Sequence, residues 1–240
     1  MTTKDYILIF ISAAALTLSL ISLVVTLVQK NRETKRTIRK TLSDTLENIS
    51  KIAIETTKLK ASKDDDFNSE PIILLRRNYN SQRRVLIAHA DFLVSKYDNI
   101  ATEIDCNILA GAYATIGDIE KAEHYWNKTV DKSVSKPIRV MNLRGFGTFL
   151  FNNEKMEKGQ KCFREALSLD LAENDENRVL RIDTCLMLCD LESEFGSKEK
   201  YEASLTNAIE ILSTIKSKPR KEEMHIRISQ KLPSKIKSNA

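Results

Sequence analysis

Between Ile104 and Val130 the chain spaces small and large residues as two closely packed antiparallel helices require, and the spacing returns twice further on. Cys106, Leu109, Ala110 and Tyr113 fall on one face of a first helix, and Ala122, Trp126 and Thr129 on one face of a second. Gly117-Asp118 stands between them as a turn that a residue without Cβ makes cheaply. Small Ala110 and Ala122 allow close approach, while Tyr113 and Trp126 fill the space above and below. The pattern recurs 37 residues on, from Tyr113 to Leu150, as Leu143, Phe146, Gly147 and Leu150 followed by Gly159, Phe163 and Ala166. It recurs again 42 residues later as Cys185, Leu188, Cys189 and Glu192 followed by Tyr201, Leu205 and Ala208. This third copy departs most, with Tyr201 where a small residue is wanted and Glu192 where an aromatic is.

The order aromatic-x2-Leu-Gly-x2-Tyr, then Ala-x3-Phe, then Pro resembles the tetratricopeptide repeat. Here it reads Cys106-x2-Leu109-Ala110-x2-Tyr113, then Ala122-x3-Trp126, with Pro137 a few residues late. The intervals exceed the usual ~34 residues, which predicts extra residues in the loops around Lys132 to Pro137 and Leu169 to Arg178. The resemblance covers about residues 103 to 213. It implies an all-α fold, an α-solenoid of about three helix pairs with flanking helices, whose first helices line a concave peptide-binding surface. Carried over position by position, that groove takes Asn107, Gly111 and Ala114 from the first pair. Arg144, Thr148, Phe151 and Asn152 come from the second, and Leu186 and Asp190 from the third. The set suits a mainly apolar helix or extended peptide, with Phe151 as anchor and Arg144 as orienting charge; packing of Phe151 inside the array is the alternative. The lysines and asparagines with which related repeats clamp a C-terminal carboxylate are missing apart from Asn107 and Arg144.

Scarce glycine and proline (6 and 4), 42% hydrophobic and 30% charged residues favour helices over sheets. The net charge of +5 is unevenly spread: residues 30 to 60 hold 9 basic and 4 acidic groups, 61 to 215 hold 20 and 26, and 216 to 240 hold 8 and 2. Acidic repeats are thus flanked by basic segments. The 4 cysteines form no CxxC or zinc-type pair. Cys185 and Cys189 stand one helical turn apart, but no histidine accompanies them and both occupy core positions, so buried reduced thiols are expected.

Ile7 to Val28 is an uncharged run of 22 residues. At ~1.5 Å per residue it reaches roughly 33 Å, enough for a ~30 Å hydrocarbon core. It is too long for a signal peptide and no small-residue cleavage site follows, which predicts an anchor over residues 1–29 that is not cleaved. Lys30, Arg32, Lys35, Arg36, Arg39 and Lys40 follow the run, against Glu33 alone, and the positive-inside rule puts the N-terminus outside and the rest in the cytoplasm. The layout fits a bacterial inner membrane; a eukaryotic organelle receptor has the same one. Over residues 30–60 Ile38, Leu42, Thr45, Ile49, Ile52, Thr56 and Leu59 alternate spacings of four and three. That stripe predicts either a coiled-coil homo-oligomer through Ile38–Leu59 or an amphipathic helix packing on its own repeats. Residues 61–70, with Asp64-Asp65-Asp66, read as a linker to a repeat domain over 71–215. Ser69-Glu70-Pro71 starts a helix on which Leu75, Tyr79, Leu86, Ala90, Leu93 and Tyr97 keep helical spacing, with an interruption expected at Asn78 to Ser81. The double arginines at 76–77 and 83–84 read as a solvated face. In the basic tail, 216–240, Met224, Ile228 and Leu232 predict a helix capping the array; adhesion to anionic lipid is the alternative. Nucleic acid is not expected, because the tail has no aromatic residue to stack on a base.

No phosphate-cradling glycine loop, HExxH or GxSxG is present, so neither an enzyme nor a cofactor or metal site is expected. The reading is a membrane-anchored scaffold whose repeats bind a protein or peptide. A self-associating structural membrane protein, or a lipid or nucleic-acid tether acting through the tail, is the alternative.

Overall fold

A computed structural model describes the backbone of residues 3–61 and 70–232, with side chains over 16–59 and 70–232. The described residues form nine α-helices and one 3-10 turn, without a strand, and the all-α class is as expected. The chain divides after Ala101 into two compact units.

The first unit holds α1 (Thr3–Ala61), α2 (Glu70–Lys96) and the 3-10 turn Asp98–Ile100. α1 and α2 pack as an antiparallel hairpin. Arg83 Nη2 donates to Thr56 Oγ1 at 3.0 Å and to the Ile52 carbonyl at 3.4 Å, while His89 Nδ1 lies 3.5 Å from Thr45 Oγ1 further back along α1. Leu42, Thr45 and Ile49 are buried and Ile38, Ile52, Thr56 and Leu59 half-buried. The heptad stripe therefore has a helix from the same chain against it, and needs no sister chain to cover it. A four-three alternation says only that a stripe faces another helix, not whose helix it is. Its threonines are tolerated because Thr45 and Thr56 return their hydroxyls to the carbonyls of Thr41 and Ile52, at 2.7 and 2.6 Å. α2 passes through Asn78–Ser81 without the expected interruption, and buries Arg83, Ile87, Ala90, Leu93 and Val94. Burial depresses the pKa of the Arg83 guanidinium. Residues 62–69 of the predicted linker and the last eight residues of the tail lie outside the described residues.

Among the described residues no helix is long and apolar enough to cross a membrane. The predicted span lies only partly among described side chains, since those of Ile7–Ala15 fall outside them. From Leu16 to Val28 the large apolar side chains of α1 are exposed, Leu18 at 67% and Val28 at 45%.

The second unit holds α3 (Glu103–Ile116), α4 (Ile119–Asp131), α5 (Lys136–Phe151), α6 (Met156–Ser168), α7 (Asp175–Phe195), α8 (Lys198–Thr214) and α9 (Lys218–Lys231). Five of the seven starts carry a side-chain cap: Thr102 and Asp105 make a reciprocal capping box on α3, and Asp118, Ser135, Asn174 and Ser197 cap α4, α5, α7 and α8. Gly117 ends α3 at φ 83, in the left-handed region where a Cβ is penalised. α3 pairs with α4, α5 with α6 and α7 with α8; α7 also rests on α5 and α6, and α9 on α7 and α8. The extra residues of the longer intervals are only partly in loops, because α7 starts at Asp175 and is extended to 21 residues.

Inside the first pair Cys106, Leu109, Ala110, Tyr113, Ala122 and Thr129 are buried as the spacing requires. The aromatic that fills this core is Tyr125, stacked on Tyr113 with centroids 5.7 Å apart, and not Trp126. Trp126 is half-buried and turns toward α5, where it stacks on Phe146 at 6.2 Å and lies over Gly145, whose absent Cβ would be 2.8 Å from the indole. In the second pair Gly147 and Gly159 face each other so closely that a Cβ on Gly159 would be 3.0 Å from the Gly147 carbonyl oxygen. The third pair joins Ile182, Cys185, Cys189, Leu205, Ala208 and Leu212 with Met224 and Ile228 of α9 in one core. Glu192, which stands where an aromatic was wanted, is 2% exposed. It accepts from Gln160 Nε2 at 2.7 Å and from the Ser197 N–H at 3.1 Å, and Gln160 Oε1 in turn takes Lys200 Nζ at 2.9 Å. A carboxylate is tolerated there because each oxygen is satisfied.

Candidate partner-binding site

α9 runs parallel to α7, in the place of the first helix of a further pair. Asp175 at the start of α7 accepts the backbone N–H groups of Lys216 and Ser217, at 3.2 and 2.7 Å, and these two bonds hold its carboxylate below the usual range. Further along, Arg220 meets Glu176 at 3.2 Å, Arg227 meets Asp183 at 2.6 Å, and Lys231 pairs with Asp190. Tyr201 of α8 donates its hydroxyl to the Lys231 carbonyl at the end of α9.

Between α5, α7 and α9 lies a hollow of about 290 Å³ lined by Arg144, Asp183, Leu186, Met187, Asp190, Arg227, Gln230 and Lys231. Its two carboxylates are held by α9. The Arg144 guanidinium has no hydrogen-bond partner among the described residues; burial lowers its pKa, the nearby Asp183 opposing and Arg227 reinforcing this. An arginine so placed stays charged, and its planar fork of donors is turned to the hollow rather than spent on the fold. A cavity of this size takes one side chain of a ligand, and its chemistry favours an anion beside the apolar wall of Leu186 and Met187.

The residues expected to form the groove are thus divided. Arg144, Leu186 and Asp190 come together, although Leu186, at 4% exposure, is wall and not contact surface. Thr148 stands beside them with its hydroxyl bonded to the Arg144 carbonyl at 2.9 Å and 3.5 Å from Met187 Sδ. Asn107 and Ala114 are half-buried on α3, and Gly111 is exposed with open space above it; none of the three lines this hollow. Asn152 is exposed at the C-cap of α5. Phe151 is no exposed anchor: it is 1% exposed, set edge-on against Phe163 at 6.2 Å and clustered with Leu191, Met187, Leu188 and Phe195. As the last residue of α5 it swings onto Gly159, where a missing Cβ makes the room.

Sequence reasoning missed Asp183, Met187, Arg227, Gln230 and Lys231. One signal could have found the last three: Arg227 follows Asp183 by nearly the interval that separates the second and third copies, so α9 continues the register. The four cysteines are all buried. Burial pushes the thiols of Cys162 and Cys189 up to about 11 and that of Cys185 to about 12, far from the thiolate a nucleophile needs. Among the described residues no three His, Cys, Asp or Glu side chains gather as metal ligands would. No family model, no curated protein and no solved structure matches the chain.

Proposed function

We propose that the chain is a membrane-anchored interaction scaffold whose helical pairs, of tetratricopeptide type, bind a segment of a partner protein in the hollow between α5, α7 and α9. The observation that carries this reading is Arg144, a desolvated guanidinium without a hydrogen-bond partner among the described residues, beside carboxylates already paired with α9. It supports a partner segment with a carboxylate next to an apolar residue. Such charge-assisted contacts between Arg and carboxylate are the stronger kind and are often bidentate. Arginine is also among the residues that dominate interface energies.

In a crosslinked pull-down with the full chain, Arg144→Gln should leave melting unchanged. It should reduce recovery of the bound partner by about thirtyfold, the equivalent of a contact worth ~2 kcal/mol. Undiminished recovery would remove the hollow as the binding site. The anchor rests on the uncharged run Ile7 to Val28 and the exposed apolar side chains of α1 up to Val28, followed by the basic cluster that favours the cytoplasmic side. The protein should therefore stay with the membrane on alkaline carbonate extraction, and a chain starting at residue 30 should be released. Release of the full chain would refute the anchor.

A further inference from the structure

The outer face of α2, turned away from α1, carries a second stripe. Leu74, Asn78, Ser81, Val85, Ala88 and Phe92 follow one another at spacings of four and three, the alternation of a coiled-coil seam, and every one of them is exposed. Val85 is 68% and Phe92 58% exposed, on a single hairpin that also exposes Ile54, Ile73 and Leu75. Beside the stripe an open hollow of about 480 Å³ lies between α1 and α2, lined by Asn48, Lys51, Ile52, Ser81, Gln82, Val85 and Leu86.

We infer that this face docks a second copy of the chain, α2 against α2, in parallel and in register. Three features point to a second copy and not to a foreign helix. In a parallel in-register pair Leu74, Val85 and Phe92 each meet their own counterpart. Asn78 falls at an a position and meets the second copy's Asn78, a pairing that fixes register and favours two strands at some cost in stability. At the flanks Arg77 faces the second copy's Gln82, Arg84 faces its His89 and Asp91 its Lys96, so no like charges meet. An antiparallel pair centred on the same stripe sets Arg84 against Arg84. The parallel sense rests on the anchor proposed above: two chains held in one membrane send α1 the same way, and α2 runs back along each. Confinement to one membrane also raises the effective concentration of the second copy.

Cysteine crosslinking of the full chain in its membrane tests this, since the native thiols are all buried. Val85→Cys should give a disulfide-linked dimer on mild oxidation at least ten times more readily than Asn80→Cys, which sits on the same helix off the stripe. Replacing Leu74, Val85 and Phe92 together with Glu should turn the detergent-solubilised protein from dimer to monomer in sedimentation, with helical content by circular dichroism unchanged because these side chains are exposed in the single chain. Equal crosslinking at both positions overturns the inference, as does a monomeric wild type. So does an adduct to another protein in place of the dimer. A crosslink only when Ser81→Cys and Val85→Cys are combined overturns the parallel sense. Carbonate extraction reads the anchor separately, so failure of either claim is told from failure of the other.

Discussion

Phe151→Ala should lower the stability of the helical-pair unit by about 3–5 kcal/mol, the range for removing a fully buried aromatic. That is a large part of the ~5–15 kcal/mol that holds a domain folded. The expectation follows from where the ring sits: 1% exposed, edge-on to the wholly buried Phe163, with Leu191 completing the cluster. The neighbours include the backbone of α6 at Gly159 and the rings of Phe163 and Phe195, which relax little into a cavity. Urea unfolding followed by circular dichroism checks it. Unchanged melting would return Phe151 to the surface and restore it as a ligand anchor.

Gly159→Val should cost about 1–3 kcal/mol by overpacking. A Cβ on Gly159 would lie 2.6 Å from Phe151 Cδ2 and 3.0 Å from the Gly147 carbonyl oxygen, and one on Gly147 would lie 2.7 Å from Phe163 Cε2. The first obstacle is a buried ring and the second is backbone, so neither gives way freely. Alanine at Gly159 gains ~1 kcal/mol of helix propensity against part of the same clash, and should be milder. The two substitutions share a contact and should not add: in the Phe151→Ala background Gly159→Val has lost its main obstacle and should cost little more. Additive losses in that double variant would refute the close helix approach as the cause.

The helix pairs themselves were legible because their signal is geometric. Cys106, Leu109, Ala110 and Tyr113, or Leu143, Gly147 and Leu150, can share one face only on a helix, and Gly117-Asp118 marks the turn between the first two. What spacing left open is which neighbour a face meets. Tyr125 and Trp126 are adjacent aromatics on adjoining parts of one helix surface; the choice between core and junction depends on Gly145, whose missing Cβ receives the indole. The stripe from Ile38 to Leu59 demanded a helix, and α2 supplies it from the same chain. Glu192 was visible as a departure from the repeat, yet its partner Gln160 is 32 positions away on another element. The hollow was half-read for the same reason: Arg144 and Asp190 followed from the first helices, whereas its far wall belongs to a helix first taken for a mere cap.

That far wall sets the polarity of the hollow. With α9 in place, Arg144, Arg227 and Lys231 outweigh Asp183 and Asp190. α9 is the last of the described helices and contributes only two buried side chains, Met224 and Ile228, and elements with few buried contacts open most readily. Were α9 to lift away it would take both of its cations with it, and the two aspartates would then outnumber Arg144. That surface would repel the anion proposed to bind there, so occupancy of the hollow and closure of α9 would be one equilibrium, and an acidic segment seated in the hollow would hold the last helix down.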